Sequence, residues 1–193
     1  MVDIKDIISN SIDLKKQILS NDALLETVEK VVDVCIDSLQ NGNTIWWCGN
    51  GGSAADAQHL AAELSGRFYF DREPLASEAL HVNTSYLTAV ANDYSYDVIY
   101  SRYLNGCGRD GDIIIGITTS GNSKNIVNAF ETAKQKNITT VGLTGETGGA
   151  LASLSELLLN VPSKDTPRIQ ESHIMLGHII CELIEARMFS NET

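Results

Sequence analysis

Five short apolar runs alternate with helical segments along most of the chain, and this alternation restricts the possible folds more than any other feature. The runs read TIWWCG, ALHV, DIIIGIT, TTVGLT and LLLNV. Each run is apolar throughout, as is typical of strands buried on both faces. Strands that alternate with helices indicate a parallel sheet. We therefore predict an α/β fold with helices covering both faces of a parallel sheet.

Helical patterns occupy the stretches between and around these runs. The first two helices are predicted over residues 2–20 and from a cap at Asn21 to a stop at residues 41–42. The last helix is predicted to have Thr166 as its cap and Pro167 as its first helical residue. The other helices are predicted around residues 54–64, 85–92, 96–106 and 124–136.

The chain has the size and composition of one globular domain. Its 193 residues are 43% hydrophobic and 20% charged, which is enough to form a core of its own. We expect a single domain over residues 1–193, with a helical pair at 1–41 and an α/β core with a C-terminal helix at 42–193. The outer helices carry more apolar surface than one small sheet can cover. We therefore predict a homo-oligomer in which the N-terminal pair packs between subunits.

Charge and cysteine usage exclude several classes of function. A formal net charge of −11 argues against nucleic-acid binding, because the overall field repels phosphate backbones. The four cysteines are widely spaced, which favours free thiols in a reducing compartment. No run approaches the ~20 apolar residues of a membrane span, and the N-terminal stretch lacks a signal-peptide core. We expect a cytoplasmic protein without membrane attachment.

The stretch GNGGS, at residues 49–53, lies between a predicted strand and a predicted helix. Such a turn directs backbone N–H groups and the positive end of the helix dipole at one point, where an anion can bind. It matches neither a Walker loop nor a dinucleotide fingerprint. The alternative is a tightly packed turn with Ser53 as the helix cap.

The stretch TTSGNS, at residues 118–123, has the same position after a strand and before a helix. Its four hydroxyl groups and backbone N–H groups can hold phosphate oxygens without a fixed positive charge. The alternative is an ordinary capped turn. That alternative explains Ser123 and leaves Thr118, Thr119 and Ser120 unexplained.

The helix after the first glycine turn carries Asp56, His59 and Glu63 at positions i, i+3 and i+7. These positions share one helix face, so His59 and Glu63 can meet a single ion or act together on a substrate. Such i,i+4 pairs are also common on solvated surfaces. The functional interpretation is favoured because this helix starts at the predicted anion site.

The last helix contributes Gln170, His173 and His178. The two histidines are five residues apart and point in different directions. Gln170 and His178 are eight residues apart, about 12 Å along an ideal helix, so both must lean to share an ion. The alternative for His178 is a core position with a hydrogen-bonded ring.

Several motifs together resemble one family. CGNGGSAADAQHLAAELSGRF, ANDYSYDVIYSRY, GITTSGNS, LTGETGG and PRIQESHIMLGHIICELIE occur in this order and span nearly the whole chain. They are similar to sugar isomerase (SIS) domain proteins, and among these to the phosphoheptose isomerases. The resemblance implies a flavodoxin-like three-layer sandwich with a five-stranded parallel sheet. It also implies a homotetramer with active sites at subunit contacts.

The resemblance further implies an activity: conversion of sedoheptulose 7-phosphate to D-glycero-D-manno-heptose 7-phosphate, the first step of heptose synthesis for bacterial surface polysaccharides. Glu63 would be the base and His178 the acid of an enediol pathway, each contributing about 10² to 10⁴ in rate. One zinc ion per subunit would be held by His59, Glu63, Gln170 and His178. Substrate contacts are implied at Asn50, Gly51, Gly52, Ser53, Glu63, Asn92, Asp93, Thr118, Thr119, Ser120, Ser123 and Gln170.

The chain departs from the family pattern at two positions. Thr118 stands where many relatives have serine, and it keeps the hydroxyl group. Pro167 replaces a small or acidic residue of some relatives, which leaves the role of Asp165 open.

Two other functions remain compatible with the sequence. One is a non-catalytic SIS module that binds a phosphosugar or a protein partner. The presence of Glu63 and His178 argues against it. The other is an isomerase of a different phosphosugar, such as arabinose 5-phosphate or a hexulose 6-phosphate, because the phosphate-binding loops are generic.

Overall fold

The computed structural model describes residues 3–189, which form a five-stranded sheet with helices on both faces. All strand pairs are parallel, and the strand order is β2-β1-β3-β4-β5. This confirms the predicted α/β fold. The strands are β1 (Ile45–Gly49), β2 (Ser77–Ala79), β3 (Ile113–Ile117), β4 (Thr139–Thr144) and β5 (Leu157–Asn160).

The helices form two layers, one on each face of the sheet. Their bounds are α1 (Ile4–Leu19), α2 (Asp22–Gln40), α3 (Gly52–Ser65), α4 (Thr84–Asp93), α5 (Ile99–Cys107), α6 (Lys124–Gln135) and α7 (Thr166–Phe189), with short 3₁₀ turns at Tyr96–Val98 and Gly149–Ser153. Helices α1, α2, α3 and α7 pack on one face, and α4, α5 and α6 pack on the other. Successive residues of β1 face different layers, since Trp47 packs in the first core and Cys48 in the second. Strands buried on both sides are the reason for the continuous apolar runs.

Most predicted elements are confirmed, and two predictions need correction. The strand predicted at ALHV, residues 79–82, lies instead at Ser77–Ala79. Its position is set by pairing with β1, where Ile45 aligns with Ser77 and Trp47 with Ala79. The strand therefore does not coincide with the apolar run. Helix α7 includes Thr166, so Thr166 is not its cap. The carbonyl of Asp165 accepts the hydrogen bond from the Ile169 N–H, which places the start one residue earlier than predicted.

The two N-terminal helices agree with the prediction. The Asn21 side chain accepts a hydrogen bond from the Leu24 N–H at 3.2 Å and caps α2. Val2, included in the predicted first helix, lies outside the described residues. Helix α1 leaves several large apolar side chains exposed, namely Ile4, Ile7, Ile8, Ile12 and Leu19. Among residues 3–189, no helix combines the length and apolar composition that a membrane crossing requires.

Candidate active site

The two predicted ligand-binding loops and Gln170 meet where the chain order of the strands reverses. Strand β1 has β2 on one side and β3 on the other, so the loops after β1 and β3 leave the sheet in opposite directions. In open parallel sheets the crevice at this point is where ligands bind. The loops at residues 50–53 and 118–123 both open into this crevice, and the sequence had singled out both.

The first loop has a conformation that depends on its glycines. Gly51 has φ of 59°, a left-handed conformation that costs glycine little. A Cβ added at Gly49 would lie 2.3 Å from the Ser53 carbonyl oxygen, and one at Gly52 would lie 2.9 Å from Gln170 Nε2. Ser53 is buried at the start of α3, and the helix has no side-chain cap. The glycines therefore allow the loop to pack closely against α3 and Gln170, so the tight packing of the alternative interpretation is confirmed, whereas its assignment of Ser53 as the cap is wrong.

The second loop holds its hydroxyl groups together. Thr118 Oγ1 lies 2.9 Å from Ser123 Oγ and 3.5 Å from Ser120 Oγ. Ser123 occupies the position before α6 without capping that helix with its side chain. Gly121 has φ of 67°, and its close packing against Gly148 leaves no room for a side chain. The alternative of an ordinary capped turn is therefore wrong for Ser123 as well.

The two loops enclose a cavity of about 130 Å³. Each side chain that lines it is uncharged, so a bound anion would be held by hydroxyl, amide and backbone N–H donors. Gln170 reaches the cavity from α7, so three elements meet here. The lining residues are Asn50, Ser53, Ile117, Thr118, Thr119, Ser120, Ser123 and Gln170.

A second group of polar side chains joins α3 and α7. His59 Nε2 lies 2.9 Å from His178 Nε2 and 3.2 Å from Glu63 Oε1. Ligand atoms of these three residues all lie within 4.8 Å of one another. His178 therefore leaves the core and faces α3, which contradicts the core alternative. His173 differs, since its buried ring contacts the Thr144 carbonyl oxygen and burial lowers its pKa to about 4.

Close packing between the two helices sets the geometry of this group. A Cβ added at Gly177 would lie 2.3 Å from Leu60 Cδ1, so α3 and α7 approach as closely as a glycine allows. The Phe68 ring covers His178 at a centroid distance of 5.9 Å. Asp56 stands on the same face of α3. Burial raises the pKa of Asp56, and the charges of His59 and His178 partly oppose this shift.

Behind this group, a buried ion pair fixes the segment that follows α3. Arg72 and Glu185 are 0% and 1% exposed, and Arg72 Nε lies 2.8 Å from Glu185 Oε1. Glu185 also accepts hydrogen bonds from the backbone N–H groups of residues 68, 69 and 70. The Arg72 guanidinium donates to the carbonyl oxygens of Glu63 and Leu64 at the end of α3. The pair thus links the C-terminal end of α3 to α7.

Asn92 and Asp93 lie apart from the cavity lining. Both are exposed at the end of α4, and Asn92 Nδ2 donates to Asp93 Oδ1 at 3.0 Å. The loop at residues 145–147 lines a separate cavity of about 220 Å³ that shares Thr119 and Ser120 with the crevice. Asn92 and Asp93 therefore stay predictions as substrate contacts.

Sequence reasoning missed four residues around the site. Asn125 and Tyr96 both hydrogen-bond to Asn50, and Arg72 and Glu185 form the buried pair. Asn125 could have been suspected because it stands two residues after the hydroxyl loop. The pairing of Arg72 with Glu185 joins residues 113 positions apart and leaves no local signal.

Comparison with known proteins shows the family to which the chain belongs. Residues 8–145 match the SIS domain model. The chain is 54% identical to the phosphoheptose isomerase of Aneurinibacillus thermoaerophilus over 98% of this chain and 96% of that protein. It is 53% identical to that of Sulfurimonas denitrificans over 97% and 96%. The chain belongs to the SIS domain family.

Two solved structures show which members of the SIS domain family the chain resembles. The phosphoheptose isomerase of Neisseria gonorrhoeae matches with a TM-score of 0.89 and 40% identity, covering 95% of this chain and 97% of that chain. That of Francisella tularensis matches with a TM-score of 0.90 and 33% identity, covering 94% and 95%. Within the SIS family, the chain belongs to the phosphoheptose isomerases.

Proposed function

We propose that this chain interconverts sedoheptulose 7-phosphate and D-glycero-D-manno-heptose 7-phosphate, as an aldose–ketose isomerase. The observation that carries the proposal is that α3 and α7, which hold His59, Glu63 and His178 together, also contribute Ser53 and Gln170 to the uncharged, hydroxyl-lined cavity. The cavity suits the phosphate, and the group suits proton transfer at the carbonyl end of the sugar. The relatives described above are all phosphoheptose isomerases, which favours the heptose.

The reaction moves one proton between neighbouring carbons. Glu63 takes the proton from the carbon beside the carbonyl and returns it to the adjacent carbon, by way of an enediol. Glu63 is suited to this role because its side chain is only 22% exposed and its helix end is held by Arg72. His178 supplies and recovers the proton at the substrate oxygens. Its ring is held between His59 and Phe68.

Substrate binding is proposed at the two loops. Thr118, Thr119, Ser120 and Ser123 would hold phosphate oxygens with hydroxyl and N–H donors. Asn50, Gly51, Gly52 and Ser53 add backbone donors at the start of α3, where the helix dipole favours an anion. Gln170, Asn92 and Asp93 are proposed to contact the sugar.

The donor set of the cluster fits a zinc ion. Two imidazole nitrogens and one carboxylate oxygen converge within 4.8 Å, and such three-ligand sets are typical of catalytic zinc sites with an open position. We propose one ion per subunit on His59, Glu63 and His178, with Gln170 as a fourth ligand. A bound zinc ion would polarise the substrate carbonyl. A carboxylate that ligates zinc is a weaker base, so the two roles of Glu63 compete.

The wider context is proposed from the same features. The exposed apolar face of α1 and the family membership support a homotetramer whose N-terminal helices pack between subunits. The free cysteines support a reducing, cytoplasmic location. We expect one domain, no nucleic-acid partner, and a product that enters ADP- or GDP-heptose synthesis for surface polysaccharide.

The test is a substrate panel. Purified protein is assayed for isomerisation of sedoheptulose 7-phosphate, arabinose 5-phosphate and a hexulose 6-phosphate, with and without added zinc. The proposal predicts turnover of the heptulose with a kcat/KM at least tenfold above the other sugars. Preference for a different sugar would identify another phosphosugar isomerase. Binding of all three without turnover would indicate a non-catalytic module.

A further inference from the structure

Asn50, at the mouth of the cavity, has its side chain fixed by a chain of hydrogen bonds. Asn50 Nδ2 donates to Asn125 Oδ1 at 2.9 Å, and Asn125 Nδ2 donates to Asn50 Oδ1 at 2.8 Å. The Tyr96 hydroxyl donates to Asn50 Oδ1 at 2.9 Å. Asn125 is 2% exposed in the first turn of α6, whereas Tyr96 is 50% exposed. The network therefore joins the loop after β1 to the helix after β3.

The backbone of α6 sets the direction of this network. The Ile126 N–H donates to Asn125 Oδ1 at 3.0 Å, so the opposite amide orientation would place an N–H donor against another donor. With Asn125 oriented in this way, its Nδ2 faces the Asn50 oxygen. That oxygen then accepts two hydrogen bonds, and both of its lone pairs are used.

The Asn50 side chain has one N–H donor left for a ligand. Its Nδ2 carries two N–H groups, and the hydrogen bonds within residues 3–189 use one of them. In a reciprocal amide pair the second N–H points away from the partner. Asn50 lines the cavity with the hydroxyl loop, so this second N–H is available to a ligand there.

We propose that Asn125 and Tyr96 are positioning residues, which orient Asn50 so that it presents an N–H donor to the anionic ligand. The inference rests on the proposed phosphosugar site. Neither residue needs to touch the substrate, because both act through Asn50. The network also ties the loop after β1 to the first turn of α6, which directly follows the hydroxyl loop, and so holds the two loops at a fixed separation. Asn50 and Asn125 stand 75 positions apart in the chain. A correctly oriented amide contributes binding without a reorganisation cost when the ligand arrives.

The experiment is a double-mutant cycle with two readouts. Asn50→Ala, Asn125→Ala and the double variant are compared for the Kd of inorganic phosphate by calorimetry and for the KM of sedoheptulose 7-phosphate. Each single variant should weaken phosphate binding about tenfold, the value of one oriented hydrogen bond to a charged group. The double variant should be no weaker than Asn50→Ala, because Asn125 acts only through Asn50.

The controls separate positioning from general stability. Thr140→Val removes a buried hydroxyl that bonds Leu154 and Glu156 at the opposite end of the sheet, so it should lower stability and leave both constants unchanged. If Asn125→Ala does not fold, Tyr96→Phe replaces it. Tyr96 is 50% exposed. Tyr96→Phe alone should weaken phosphate binding about two- to threefold, because one hydrogen bond that orients Asn50 is lost. Added to Asn50→Ala, it should weaken phosphate binding no further.

Two results would overturn the inference. One is an unchanged phosphate Kd in folded Asn125→Ala or Tyr96→Phe, and the other is additive losses in the double variant. The phosphate readout does not depend on catalysis. Absence of turnover in the unmodified protein would therefore refute the proposed reaction, while the cycle on phosphate still decides the role of Asn125.

Discussion

Replacing Glu185 with glutamine is expected to destabilise the protein strongly, although the shape of the side chain barely changes. Glu185 is 1% exposed and accepts hydrogen bonds from three consecutive backbone N–H groups and from Arg72. Glutamine offers one acceptor oxygen in place of two. Its NH₂ group would face donors, and the buried Arg72 guanidinium would lose its counter-charge.

The size of the effect follows from burial. Removing one partner of a buried ion pair costs about 3–5 kcal/mol, because the remaining charge is desolvated and unpaired. For a chain of this length, 1 kcal/mol corresponds to about 2–4 °C in Tm, so we expect a loss of roughly 6–20 °C. Arg187→Gln is a matched control on the same helix. Its partners Glu29 and Asp33 are more than half exposed, and such pairs contribute about 0–1 kcal/mol.

Thermal and urea unfolding at equal protein concentration measure both variants. Equal concentration matters because assembly contributes to apparent stability. A Glu185→Gln variant within about 1 kcal/mol of the unmodified protein would show that the buried ion pair does not supply this stability. So would equal losses in Glu185→Gln and Arg187→Gln.

The stability that Glu185 contributes is expected to depend on pH. Burial raises the pKa of Glu185, but the three backbone N–H groups and Arg72 together hold it below its usual range. A carboxyl with a lowered folded-state pKa adds stability above its unfolded pKa of about 4.3, and this stability is lost as pH falls through the folded value. The stability gap between the unmodified protein and Glu185→Gln should therefore be constant near pH 7 and narrow below about pH 4. A gap that widens on acidification would contradict the assignment.

Two further predictions concern packing and thiols. Gly177→Ala forces α3 and α7 apart at Leu60, so it should cost about 1–3 kcal/mol and weaken zinc binding measured by calorimetry. An unchanged zinc affinity would contradict the proposal that this helix contact sets the geometry of the proposed zinc site. Cys107 is exposed, whereas burial raises the pKa of Cys35 to about 12 and also shields Cys48 and Cys181. One thiol per native chain should react with an aromatic disulfide reagent at pH 8, and all four in guanidinium; more than one fast native thiol would contradict the packing.

The sequence predicted the sheet well because the strands are buried on both faces. Short continuous apolar runs such as IIIGI are typical of strands covered on both faces. For this reason the sequence located β3 and β4 almost to the residue. The edge strand β2 is different. It contains Ser77 and Glu78, has little intrinsic strand preference, and exists because β1 offers it hydrogen-bonding partners.

The site was predictable to the extent that its residues lie close in sequence. The spacing of His59 and Glu63 places them on one helix face, and both loops stand between a strand and a helix. The approach of His178 to His59 depends on how α3 and α7 pack, which Gly177 permits and no local pattern reveals. Asn125 and Glu185 act through buried polar contacts between distant segments, and these follow only from the folded chain.

Deuterium exchange tests whether Glu63 is the base of an enediol isomerisation. Sedoheptulose 7-phosphate is incubated in D₂O with the unmodified protein or with folded Glu63→Gln, and proton NMR follows the aldose anomeric signal and deuterium at the carbon beside the carbonyl. We expect aldose with deuterium for the unmodified protein and a rate about 10² to 10⁴ lower for Glu63→Gln. Near-normal conversion and exchange in Glu63→Gln would contradict the assignment of Glu63 as the base.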